Sequence, residues 1–117
     1  DDDLDKGTVV GGAKIYTVYC GTCHQRDGKG ASGRFPPLAG ATWVTGDKKL
    51  LIGIVLKGME GPIDVNGEQF NSTMPQHSFL SNEEIANVLT YIRERFGNKA
   101  SAVTTEEVAA VRKTLGP

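Results

Sequence analysis

Cys20-Gly21-Thr22-Cys23-His24 is the stretch on which the reading of this 117-residue chain turns. Residues three apart lie on one face of a helical turn, so the two thiols sit side by side, and an imidazole follows directly. Each thiol can then add to one of the two vinyl groups of a haem, while His24 offers Nε2 to the iron. Cys-x-x-Cys-His is the attachment signature of c-type haem. Three other readings compete. A thioredoxin-like dithiol calls for a strand–helix–strand context, whereas this motif closes a helical pattern and is followed by loop. A zinc site needs a second pair of ligands, and outside the motif there is no cysteine and one histidine, His77. The pentapeptide can also arise by chance.

Upstream, residues 7–20 carry Ile15, Val18 and Tyr19 at helical spacing, with Gly12 and Tyr16 on one stripe. Gly11 and Gly12 inside that pattern cost roughly 1 kcal/mol each relative to alanine, a cost that points to close packing against another backbone. Downstream, residues 25–47 read as loop, with Phe35-Pro36-Pro37-Leu38-Ala39-Gly40 as a stiff apolar segment. Residues 47–58 read as a short helix capped by Asp47 and stopped by Gly58. Asn66-Gly67 inside Ile63–Phe70 signals a hairpin. Ser81-Asn82-Glu83-Glu84 is a capping box that opens an amphipathic helix to about Phe96, with Ile85, Val88, Leu89 and Ile92 on its face. A second box, Thr104 to Glu107, opens a last helix over 104–115 with a thin stripe of Val108, Val111 and Leu115.

A sixth iron ligand is expected in a loop before the long helix. Met74 stands there, in Thr-Met-Pro. Met59 is the alternative, although it suits core filling better, and His77 is a weaker one, expected to be exposed and solvated. A thioether on the iron raises the reduction potential relative to a nitrogen or oxygen ligand, and a filled sixth position leaves no site for substrate. A ligating imidazole usually gives its other N–H to a carbonyl or carboxylate; the backbone carbonyl of Pro36, twelve residues after His24, is the candidate, and Pro36-Pro37 also serves as a rigid turn.

Composition agrees. Glycine is 15 of 117 residues, about twice the usual share, which suits tight turns and backbone pressed against a flat group. The formal charge of −1 and the lack of a basic stripe give nucleic-acid binding no support. No apolar run approaches the roughly 20 residues of a membrane span. The chain opens Asp1-Asp2-Asp3, the opposite of a basic leader, and reads as mature or trimmed with a flexible acidic start over 1–6.

Gly12, Tyr16, the Cys20–His24 motif, Pro36, Gly40, Met74, Val88 and Tyr91 together resemble the class I cytochromes c, over residues 7–97. Phe35–Gly40, the hairpin at 61–71, Glu83-Glu84-Ile85-Ala86 and the tail from Phe96 to Val108 are similar to one bacterial monohaem branch. That branch includes periplasmic cytochromes that feed terminal oxidases, and haem c domains fused to copper nitrite reductases or quinoprotein dehydrogenases.

The resemblance implies an all-α cytochrome c fold of three to five helices around one haem, with a small hairpin and an extra C-terminal helix. The haem domain spans 7–98 and the C-terminal extension 99–117. The first and last helices of the domain are expected to cross where Gly12 meets Val88, beside Tyr91. The implied function is one-electron transfer through a covalently bound haem c with His24 and Met74 as axial ligands, and no catalysis. A relay domain cut from a larger oxidoreductase is the alternative, and a haem sensor or peroxidase with a labile sixth ligand a third.

Expected partners are redox proteins such as a terminal oxidase, a nitrite reductase or a quinol-oxidising complex. No nucleic acid is involved, and a membrane only through partners or a missing anchor. The chain is expected as a periplasmic monomer, soluble or tethered to the outer face of the inner membrane. Electrons are expected to cross a haem edge ringed by Ala31, Phe35, Met59, Pro75 and Phe79. Trp43 or Lys48 is expected to bond a haem carboxylate; Trp43 also fits as plain core.

Overall fold

A computed structural model describes residues 11–116. The expected acidic start at 1–6, and the part of the expected first helix before residue 11, lie outside the described residues. Residues 11–15 are helical. Over Tyr16–Cys20 the helix widens into a π turn, closed by the Gly21 N–H donating to Tyr16 O, and then tightens into α1, Gly21–His24. The helix therefore runs through the cysteine motif instead of stopping at Cys20. The wider turn adds one residue just before the motif, and such turns are frequent at functional sites.

The remaining elements are α2 (Thr42–Thr45), α3 (Lys48–Lys57), β1 (Ile63–Val65), β2 (Glu68–Phe70), α4 (Asn82–Glu94) and α5 (Thr105–Leu115). Helix α2 was expected as loop. It is a single turn that no side chain caps, so it leaves no local signal. It is held from outside by Arg93, whose Nη1 donates to Val44 O at 2.8 Å and Gly46 O at 3.1 Å. Asp47 caps α3 by accepting from Lys49 N at 2.8 Å, and Gly58 ends it at φ +76°. The hairpin pairs Ile63 with Phe70 and Val65 with Glu68. Asn66 and Gly67 both have positive φ, 52° and 85°, the type I′ geometry that matches strand twist. Both capping boxes form as the residue types predict. Helix α4 ends at Glu94, two residues early, and Phe96 and Gly97 turn the chain with positive φ.

Helix α4 is the spine. Its Ile85, Val88, Leu89 and Ile92 are buried, and the first helix crosses it at Gly12. A Cβ on Gly12 would stand 2.7 Å from Tyr91 Cβ, and nearer still to the Asn87 carbonyl oxygen. The crossing point is thus Asn87 and Tyr91, not Val88. One residue is 100° around a helix, and Val88 is turned to the interior. Tyr16, Tyr91 and Phe96 close the crossing with ring centroids 5.3–6.0 Å apart. Burial pushes the Tyr16 hydroxyl well above its usual range, and that hydroxyl donates to Gln25 O at 2.5 Å.

The segment after α4 packs back onto it. The Thr90 hydroxyl donates to Val103 O at 3.1 Å and accepts from Val103 N at 3.0 Å. Helix α5 then lies against α3 and α4. Val108 is fully buried there, Val111 partly, and Leu115 is exposed, so the expected apolar stripe is used only at its N-terminal end. Arg112 ties α5 to the start of α4 through Asn82 Oδ1, Ser78 O and Leu80 O at 2.7–3.0 Å.

Candidate functional site

One apolar cavity gathers Cys20, Cys23, His24, Pro36, Trp43 and Met74 from across the chain. Its wall is completed by Leu51 and Val55 of α3, Val65 and Phe70 of the hairpin, and Val88, Leu89 and Ile92 of α4. Few polar atoms face inward, so the cavity suits a large apolar group. Cys20 and Cys23 are both free thiols. Burial, and secondarily Cys23, pushes the Cys20 thiol up to about 11, which keeps it protonated at neutral pH. Among the described residues no group of three or more His, Cys, Asp or Glu side chains gathers to hold a bare metal ion.

His24 closes α1 and is turned into the cavity. Its Nδ1–H donates to Pro36 O at 2.8 Å. A carbonyl only accepts, so this contact puts the ring proton on Nδ1 and leaves the Nε2 lone pair free for a metal. Burial lowers the His24 pKa, the Pro36 carbonyl works against that fall, and the nearby His77 imidazole adds to it. The Gly30 backbone passes close beside the Pro36 carbonyl: Gly30 N donates to His24 O at 2.9 Å, and a Cβ on Gly30 would stand 2.7 Å from Pro36 O. Gly30 has φ +65°, so the turn admits glycine for two reasons at once.

Met74 is fixed by its backbone. Met59 N donates to Met74 O at 3.0 Å and Met74 N to Met59 O at 2.7 Å, a two-bond bridge between the segment after α3 and the methionine loop. Ser72 Oγ donates to Arg34 O at 2.7 Å and anchors the same loop to the segment before Pro36.

The Trp43 indole N–H donates to Asp64 O at 2.8 Å, and the Trp43 ring forms part of the cavity wall, the place the plain-core reading gave it. Two expectations change here. The Lys48 ammonium pairs with Glu107 at 3.3 Å and faces a groove between α3 and α5, away from the cavity. His77 is nine-tenths buried in the cavity wall and stacks with Tyr19 and Phe79, where the residue alone suggested a solvated side chain. Of the expected edge residues, Phe35, Met59 and Pro75 line the cavity. Ala31 bridges to Phe35 behind it, and Phe79 stands outside, 64 % exposed, against Tyr19. Arg93 and Asn98 were missed altogether. Asn98 Nδ2 donates to Leu38 O and Ile92 O, and its Oδ1 accepts from Gly40 N, joining the loop behind Pro36 to the end of α4.

The family model for cytochrome c matches residues 9–95, from before the helix crossing to just past the end of the spine. The chain belongs to the cytochrome c family. Among its relatives is cytochrome c-552 of Thermus thermophilus, 36 % identical over 127 aligned positions that cover 90 % of this chain and 96 % of that one. The cytochrome c subunit of the quinone-dependent alcohol dehydrogenase of Gluconacetobacter polyoxogenes is 38 % identical over 92 % of this chain, and that of the gluconate 2-dehydrogenase of Pantoea cypripedii 38 % over 97 %. This cytochrome spans about a quarter of the length of those two subunits, 24 % and 27 %.

This cytochrome is therefore an electron carrier with covalently bound haem c, and the family carries electrons without catalysis of its own. When bound, the haem supplies an iron that exchanges one electron between its ferric and ferrous forms. Everything else is the chain's work. The apolar wall keeps water away, the half-buried thiols stand ready as attachment points, and Pro36 orients the His24 ring. No described helix is long and apolar enough to cross a membrane.

Proposed function

We propose that His24 and Met74 are the two axial ligands and that the chain shuttles electrons as a low-spin, six-coordinate carrier. The observation that carries this is that both side chains reach one apolar cavity, with His24 Nδ1 already spent on Pro36 O. A thioether opposite an imidazole favours ferrous iron and a high potential, which suits a carrier that receives electrons from a dehydrogenase. Cys20 and Cys23 supply the thioether links, Pro36 holds His24, and the Trp43 ring packs against the haem. The haem domain takes residues 7–98, and 99–117 is an extension that clamps α4.

Quinoprotein dehydrogenases are the donors we favour, because the relatives include cytochrome subunits of such enzymes. A terminal oxidase, or a nitrite reductase, is the acceptor class that fits a high-potential carrier. We place the protein in the periplasm as a monomer, free or tethered at the outer face of the inner membrane. The match to about a quarter of the length of longer cytochrome c subunits also supports a second reading, a relay domain within a larger oxidoreductase with the same electron chemistry. A haem-stained gel and a redox titration of the full chain test the class. A low-spin spectrum with weak carbon monoxide binding is expected, and rapid stoichiometric carbon monoxide binding at neutral pH overturns it.

A further inference from the structure

Helices α3 and α5 pack side by side and leave an open, mostly apolar groove between them. Leu50 on one helix is 51 % exposed and Leu115 on the other 41 %, and both line the groove. The fold thus spends part of α5's apolar stripe on the core and leaves the rest facing solvent. Apolar surface gathered in one place and rimmed by charge marks an interaction site.

The rim is basic. Lys48, Lys49 and Lys57 line the groove against a single acid, Glu107. Lys48 is spent on that acid at 3.3 Å. Lys49 and Lys57 are exposed, and neither has a carboxylate at ion-pair distance among the described residues. They stand near the two ends of α3, about 12 Å apart along its axis at roughly 1.5 Å per residue. An apolar trough with cations along one edge is complementary to an amphipathic helix that carries acids beside its apolar face. Carboxylates two turns apart on such a helix, about 11 Å, match the spacing of the two free lysines. The groove also meets the haem site: Ile54 and Met59 line both it and the cavity. A body seated there is divided from the cavity by one layer of side chains.

We propose that the α3–α5 groove is a docking site for a redox partner that presents an acidic amphipathic helix, its apolar face on Leu50 and Leu115 and its carboxylates on Lys49 and Lys57. The contact is small and transient, as redox encounters are. One electron passes from the partner's reduced centre to ferric haem, with no proton moved and no bond made or broken. This rests on haem filling the cavity, whichever side chain takes the sixth position.

The probe is a synthetic helical peptide with leucines on one face and glutamates two turns apart beside them; a twin carries lysines in place of the glutamates. Each is titrated into the isotope-labelled, haem-loaded full chain in its ferrous form, and amide NMR shifts locate the contact. The acidic peptide is expected to shift α3 and the end of α5, more weakly as salt rises, and the twin to leave them unmoved. Lys49→Glu combined with Lys57→Glu is expected to weaken binding about fivefold to tenfold, the loss of two exposed ion pairs. Leu50→Ser combined with Leu115→Ser is expected to weaken it without changing the salt dependence. All four side chains are exposed, so fold and visible spectrum should hold in both variants. With a ruthenium photoreductant on the acidic peptide, a laser flash should reduce the ferric haem in a phase independent of peptide concentration, and the charge variant should lose that phase. Shifts centred on Tyr19 and Phe79, equal binding of the twin, or full affinity in the charge variant overturns the proposal. So does sedimentation showing a second copy in the groove, or decanoate shifting these residues where the acidic peptide does not. The far-red band of the protein alone reads the Met74 assignment, so the loss of that reading and the loss of this one are told apart.

Discussion

Met59 and Met74 exchange both of their backbone hydrogen bonds, N–H to O at 3.0 Å one way and 2.7 Å the other. Two methionines that compete as ligand candidates in the sequence are thereby tied together, one as holder and one as held. Met59→Leu is expected to leave the bridge and the visible spectrum intact, because the bridge is made of backbone. Met74→Ala is expected to abolish the far-red band and lower the midpoint potential in a redox titration. Equal spectra for the two variants would count against this division of roles.

The residue before that bridge is under tighter constraint. Gly58 has φ +76°, and a Cβ there would stand 2.6 Å from Met74 O and 2.9 Å from Gln76 N. Gly58→Ala is expected to cost about 1–3 kcal/mol through backbone strain and overpacking. Because the displaced atoms belong to the ligand loop, the far-red band should weaken well below the denaturation midpoint. Gly53 is the control: its Cβ direction is empty within 4 Å and it lies inside α3. Gly53→Ala is expected to stabilise by about 0.5–1 kcal/mol. Urea melts of both variants provide the measurement.

The helix crossing makes a similar demand. A methyl on Gly12 meets the backbone of Asn87 and the stem of Tyr91, neither of which can yield without moving α4. Gly12→Ala is expected to lose about 1–3 kcal/mol, and Gly12→Ser at least as much, with no spectral change while the chain stays folded.

Buried charge holds the other side of α4. Arg93 is 3 % exposed and donates to Val44 O, Gly46 O, Ser101 O and Ser101 Oγ. Arg93→Ala strands four acceptors and is expected to cost at least about 3 kcal/mol. Arg93→Lys is expected to recover little of it, since a point charge cannot span acceptors on both α2 and the extension. Comparable urea midpoints for Arg93→Lys and the wild type would be the contrary result.

The C-terminal helix carries a pH term. The Thr104 backbone N–H bond, and then Lys48, hold the Glu107 carboxyl below its usual range. A carboxylate with a depressed folded pKa contributes stability above its unfolded pKa, about 4.3, and loses it as pH falls through the folded value. Glu107→Gln, which can keep the capping contact, is expected to flatten the loss of stability below about pH 4.5. Thr104→Ala is expected to cost about 1 kcal/mol at neutral pH. Denaturant midpoints between pH 3 and pH 7 check both.

The features legible in the chain are those whose chemistry closes within a few residues. The cysteine pair and His24 sit on one helical turn, Asn66-Gly67 makes its own hairpin turn, and each capping box is a contact between positions three apart. Short separation costs little chain entropy, so residue type and spacing suffice. The stripe of α4 announced a core, and Pro36 was placed by its distance from His24.

What the chain did not announce depends on partners far apart along it. The Trp43 indole is spent on Asp64, 21 residues away, and Arg93 reaches back 49 residues to Val44. Met74 is held by Met59, and His77 is buried by Tyr19 and Phe79 although its neighbours in sequence are polar. Crossing at Asn87 instead of Val88 is a shift of one residue, set by which face of α4 the cavity claims. Local chemistry names the groups that can act on a haem; folding alone decides which of their donors and lone pairs are still free when they arrive, because each such bond is chosen among competitors that meet only in the packed state.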